Sequence, residues 1–146
     1  MFNEENVLLD PYSRAVTGQR KWGEKPEGGK DFEYRARVVK SSFDWGNIKQ
    51  LEQPFEDLVI YETHVSGYTK DKSSGVSAPG TFAGLKDKIP YLKDLGINAV
   101  ELMPIFEFDE MESARVVDGV QLYNYWGYNT VSFFAPNTSY AFNEEH

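Results

Sequence analysis

Two short apolar runs, Leu58-Val59-Ile60-Tyr61 and Ile97-Asn98-Ala99-Val100-Glu101-Leu102-Met103, do most to limit what this chain can fold into. The first is continuously apolar, the pattern of a strand covered on both faces, and parallel sheets put strands in that position. Between the runs the period changes. Leu85, Ile89, Leu92 and Leu95 recur on one stripe, while Lys86, Asp87, Lys93 and Asp94 take the other side. That spacing predicts an amphipathic helix from Thr81. Pro90 removes one ladder bond and disfavours helical geometry at Ile89, so a kink or a shorter helix starting near Pro90 is expected. Gly96 stands where a left-handed cap belongs, and Pro104 stops the second strand. The result is one right-handed β-α-β unit. Alone, such a unit leaves sheet edges unpaired and apolar faces bare, so it must belong to a larger α/β architecture. The choice lies between a doubly wound sheet and an eight-stranded barrel. Gly75, Gly80 and Gly84 match neither the dinucleotide fingerprint nor a phosphate-binding loop, which removes the support for a nucleotide-binding sheet.

The first third of the chain has another character. Asn6 to Tyr12 reads as a short strand closed by an Asp10-Pro11 turn, and a Gly- and Lys-rich loop runs from Gly18 to Lys30. In the stretch Phe32 to Val39, Phe32, Tyr34, Ala36 and Val38 alternate with polar or charged residues, as in a half-buried antiparallel strand. A sandwich needs about seven strands, so residues 1–53 are expected to be the last part of a β domain. Gln50 to Phe55 has no periodicity and contains Pro54, which puts the boundary there and residues 54–146 in the second domain. Residues 66–80 and 106–123 are expected to be loops, the latter leaving the carboxyl end of the second strand.

Charge narrows the partners. A net charge of -8 and a pI near 4.8 disfavour nucleic acid, whose binding relies on Lys and Arg displacing counterions. No run approaches the ~20 apolar residues needed to span a bilayer, and Met1 to Glu5 lacks the basic and apolar regions of a secretory signal. The absence of cysteine suits a reducing compartment, so a soluble, cytoplasmic protein is expected. Oligomeric state leaves no trace.

Chemistry-bearing residues gather late in the chain. The run Asn124-Tyr125-Trp126-Gly127-Tyr128-Asn129-Thr130 is rich in aromatic rings, whose faces stack on sugar C–H surfaces and also fill ordinary cores. Tyr125, Trp126 and Tyr128 are therefore candidates for substrate binding, with core packing as the competing reading. Phe133 and Phe134 read as core. His64, near the carboxyl end of a buried strand, is either a substrate contact or a satisfied interior hydrogen-bonder. Glu101, Glu107, Asp109 and Glu110 are expected to be solvated or hydrogen-bonded groups of the loop after the second strand. No His, Asp and Glu grouping has transition-metal spacing. No cofactor is implied, and calcium stays open because oxygen ligands leave a weak trace in sequence.

Tyr61-Glu62-Thr63-His64-Val65-Ser66-Gly67-Tyr68-Thr69, Gly80-Thr81-Phe82-Ala83-Gly84, Ala99-Val100-Glu101-Leu102-Met103-Pro104-Ile105 and Asn124 to Thr130 together resemble the isoamylase and glycogen-debranching branch of the α-amylase family. Leu8-Leu9-Asp10-Pro11-Tyr12 resembles the end of the carbohydrate-binding β-sandwich that precedes the barrel in those enzymes. The resemblance implies an α/β fold, the incomplete start of a (β/α)8 barrel preceded by the last strands of a β-sandwich. It implies a retaining glycoside hydrolase acting on α-1,6 branch points of glycogen, amylopectin or starch, with Tyr128 as the platform next to the cleaved bond and Tyr125 and Trp126 shaping the same wall. The family's catalytic carboxylates sit on later barrel strands, so none is assigned here and they are expected beyond His146. Two alternatives stand beside this: a glucan-binding piece that works without hydrolysis, and another family activity such as a pullulanase, branching enzyme or trehalose-releasing hydrolase.

Overall fold

The computed structural model describes residues 8–18, 22–24, 34–40 and 42–142. Its elements run β1 (Val16–Thr17), β2 (Arg35–Ala36), β3 (Ile60–Thr63), α1 (Val65–Thr69), α2 (Phe82–Asp87), α3 (Ile89–Asp94), β4 (Ala99–Leu102), β5 (Phe106–Phe108), β6 (Arg115–Val117), β7 (Val120–Leu122) and β8 (Thr130–Pro136). Two compact units hold them, Met1–Val39 with Pro104–Asn137, and Lys40–Met103 with Thr138–His146. Each is built from two stretches of chain.

In the second unit β3 and β4 run parallel, paired from Ile60↔Ala99 to Thr63↔Leu102. Asn98 fixes where they start. Its side-chain oxygen accepts from the Val59 N–H at 2.7 Å, and its Nδ2 donates to the Asp57 carbonyl at 2.8 Å. The helical connector breaks as Pro90 requires. Thr81 Oγ1 caps α2 by accepting from the Gly84 N–H at 3.2 Å, α2 ends at Asp87, and α3 begins with Pro90 in its first turn. There the missing N–H costs nothing, because first-turn amides have no intrahelical partner. Gly96 at φ +89° takes the left-handed turn into β4. Residues 66–80 were expected to be loop, yet they begin within α1, and Gly84 explains how closely the later chain approaches. A Cβ at Gly84 would stand 2.2 Å from the Ala78 carbonyl oxygen. The α/β character expected from the sequence is present, and the apolar strand residues stay open, with Val59, Ile60 and Val100 exposed.

In the first unit β5 pairs antiparallel with β8, β6 with β7, and β1 with β2. The expected loop 106–123 is therefore a strand followed by a hairpin. Its turn is Asp118-Gly119, with φ of +49° and +79°, the two left-handed positions that let a two-residue turn match strand twist. Two strand expectations shrink. Asn6 and Val7 lie outside the described residues, Leu8 to Asp10 is irregular, and the Asp10-Pro11 turn stands, with the Ser13 N–H donating to the Asp10 carbonyl at 3.0 Å. Phe32 and Glu33 also lie outside them, and the strand covers only Arg35–Ala36, both exposed, with Val38 fully exposed. Pairing limited to Val16↔Ala36 and Thr17↔Arg35 gives the alternation no sheet face to bury against. Phe133 and Phe134, expected in the core, are 64% and 56% exposed, while their neighbours Ser132 and Ala135 are buried. Among the described residues no helix is long and apolar enough to cross a membrane.

Candidate functional site

The aromatic run between β7 and β8 is held from below. β5 delivers Phe108 into the interior of the first unit, where it is 1% exposed. Gly127, at φ +75°, lies against that ring so closely that a Cβ would come within 2.6 Å of it. The Asn124 side-chain oxygen accepts from the Gly127 N–H at 3.2 Å, closing a turn of the kind that Asn side chains form with backbone amides. The Asn124 N–H in turn donates to the Glu110 carbonyl at 2.9 Å. With the backbone pinned at both ends, the rings point outward: Tyr125, Trp126 and Tyr128 are 42%, 51% and 69% exposed. Tyr125 and Trp126 meet edge to face, with centroids 5.2 Å apart and planes at 77°. At these exposures the three rings are not buried in this structure, and an exposed aromatic face can stack on the C–H face of a sugar ring.

The carboxylates serve the same loop. Asp109 Oδ1 accepts from the Met111 N–H at 2.9 Å and holds a local turn, and Glu110 Oε1 accepts from the distant Gly23 N–H at 2.8 Å, so both are hydrogen-bonded loop groups as expected. Glu101 and Glu107, expected in the same loop, instead sit on strands, Glu101 exposed on β4 and Glu107 buried on β5, because the chain resumes pairing directly after Pro104. Sequence reasoning missed Trp22, which packs edge-on against Phe108 with centroids 5.9 Å apart and against Tyr123 at 6.3 Å. No local signal could have found it, because its partners lie far along the chain. Asn124 three residues before Gly127 was a readable turn signal that was passed over. Among the described residues no group of three or more His, Cys, Asp or Glu could hold a metal ion.

His64 belongs to the second unit, whereas the aromatic run belongs to the first. It follows β3 as the N-cap of α1, and its Nδ1 accepts from the Gly67 N–H at 3.0 Å. A neutral ring accepting at Nδ1 carries its proton on Nε2. That Nε2–H then donates to Tyr140 Oη at 3.2 Å, inside the unit. Both ring nitrogens are engaged, the arrangement of an interior hydrogen-bonder. Nearby, Tyr68 packs edge-on against Tyr61. Burial first, then the neighbouring Tyr61 and Tyr91 phenols, push the Tyr68 phenol above its ordinary value.

No family model matches the chain. It is 42% identical over 143 residues to isoamylase 1, chloroplastic, of Oryza sativa subsp. japonica, covering 96% of this chain and 17% of that protein. It is 34% identical over 152 residues to the glycogen operon protein GlgX homolog of Haemophilus influenzae, covering 95% of this chain and 23% of the relative. Among solved structures, Group B Streptococcus pullulanase SAP in complex with maltotetraose matches with a TM-score of 0.69 at 26% identity, over 94% of this chain and 19% of that one. The chain thus spans about a fifth of the length of the proteins it matches.

Proposed function

We propose that this chain, a member of the isoamylase-like branch of the α-amylase family, is the substrate-facing opening of a retaining glycoside hydrolase that cleaves α-1,6 branches of glycogen or starch. The parallel β3–β4 pair with its helical connector is then the first β-α-β of a (β/α)8 barrel, and residues 1–53 end the preceding β-sandwich. Retaining hydrolysis takes two carboxylates about 5 Å apart, one attacking and one protonating the bond. Asp109 and Glu110 are committed to backbone amides, of Met111 and Gly23, so this chain's own share of the chemistry is to bind and orient the glucan. Tyr128 is the stacking platform, and Tyr125 and Trp126 form the adjoining wall.

One observation carries the reading: three exposed aromatic rings, two within the hydrogen-bonded turn from Asn124 to Gly127 and Tyr128 directly after it. Relatives named as isoamylases and as glycogen operon proteins, and a neighbour solved with maltotetraose, support a glucan as the ligand. The test is native electrophoresis through gels containing amylopectin. The chain is expected to be retarded, and Tyr128→Ala to migrate as in a gel without glucan; equal retardation of the two would refute the platform role. The enzymatic half is read on the complete protein, where linear chains released from amylopectin, with linear amylose left intact, mark debranching.

A further inference from the structure

The aromatic wall stands on a closed circuit of contacts that joins two stretches of chain far apart in sequence. The circuit starts at Glu110. Its carbonyl accepts from the Asn124 N–H, and the Asn124 side chain accepts from the Gly127 N–H. Gly127 lies on the Phe108 ring, in a place no side chain could share. The edge-on contact between Phe108 and Trp22 carries the circuit to the other stretch. Gly23, next in the chain, returns its N–H to Glu110 Oε1 at 2.8 Å. A side chain at Gly23 would be strained, since the residue sits at φ +82°, and its Cβ would stand 2.7 Å from Tyr123 Oη, which would have to shift. Every link lies within the first unit.

Glu110 bonds to both stretches, through its main chain to Asn124 and through its carboxylate to Gly23. Without the carboxylate acceptor, the Gly23 amide must find water, and the Trp22 support under Phe108 is no longer tethered. Phe108 is the surface on which Gly127 rests, so the slack reaches Trp126 and Tyr128 on either side of Gly127. A stacking platform is sensitive to such slack, because ordering a loose loop on binding subtracts from the affinity.

We propose that Glu110 is a positioning residue for glucan binding, acting through Gly23 and Asn124 on the Tyr125, Trp126 and Tyr128 wall; the proposal rests on that wall being the glucan site. In amylopectin affinity electrophoresis of the full chain, Glu110→Ala is expected to weaken retardation about five-fold, the worth of one net hydrogen bond. Glu110→Gln keeps an oxygen acceptor for the Gly23 N–H and is expected to restore it. Trp22→Ala removes the support on Phe108 that the Glu110 carboxylate tethers and leaves the hydrogen bonds of Asn124 in place; it is expected to weaken retardation likewise, and it decides the matter if Glu110→Ala does not fold. Retardation of Glu110→Ala equal to that of the unaltered chain, or Glu110→Gln as weak as Glu110→Ala, overturns the positioning role while the glucan reading stands. An unaltered chain that amylopectin does not retard overturns the glucan reading, and the positioning role falls with it.

Discussion

Tyr68 offers a residue-scale test. Its phenol is held above the ordinary value of 10.0 chiefly by burial, so the folded state keeps its proton to higher pH than the unfolded chain does. Between those two values the folded state binds more protons, and stability falls as pH rises. The Tyr68 contribution to the second unit's stability is expected to be full below pH 10 and to decline above it, with Tyr68→Phe flattening that decline; denaturation midpoints measured on both sides of pH 10 check this. His64 shows what a sequence can and cannot disclose at this scale. Its place near the end of a buried strand was legible, and so was interior hydrogen bonding as one of two readings. Its partners were not, because Tyr140 reaches it from the far end of the chain. Glu110 was legible as a solvated or hydrogen-bonded loop group, whereas the identity of its donor, Gly23, was hidden for the same reason.

At the scale of elements, legibility followed local chemistry. The β3 and β4 runs, the break at Pro90 and the Gly96 turn all follow from rules that act within a few residues, and each was readable. The β6–β7 hairpin carried an equally local signal in Asp118-Gly119, flanked by Val116-Val117 and Val120-Gln121-Leu122, and was nonetheless read as loop. The pairing of β5 with β8 is non-local and had no such signal. Phe133 and Phe134 misled because apolar character says that burial is favourable and does not say which surface covers a ring. The Thr81 cap is the element whose worth is simplest to measure. Thr81→Ala removes the oxygen that accepts from the Gly84 N–H and the hydroxyl that donates to the Ala78 carbonyl at 2.8 Å. A loss of about 1 kcal/mol is expected, read as a lower urea midpoint with an unchanged slope.

For the molecule as a whole, the β-α-β reading held while its faces stay uncovered. Ile60 and Val100 on the parallel strands, and Ile89 and Leu95 on the helical stripe, are exposed, while Leu92 alone of that stripe is buried. The register Ile60↔Ala99 and Tyr61↔Val100 puts Ile60 and Val100 on opposite faces of the strand pair, so both faces carry open apolar side chains, which favours association. The chain is expected to elute ahead of a 16.7 kDa monomer as its concentration is raised, with light scattering to give the mass; a monodisperse monomer with a sharp, reversible thermal transition would contradict this. The contact between the Asn124 N–H and the Glu110 carbonyl has a consequence for how such molecules diversify. It shuts the base of the excursion that carries β6 and β7, so that arm can lengthen, shorten or change its tip without shifting the rings beyond it. Evolution is left with a cassette beside the aromatic wall, free to acquire new reach while the rings keep their setting.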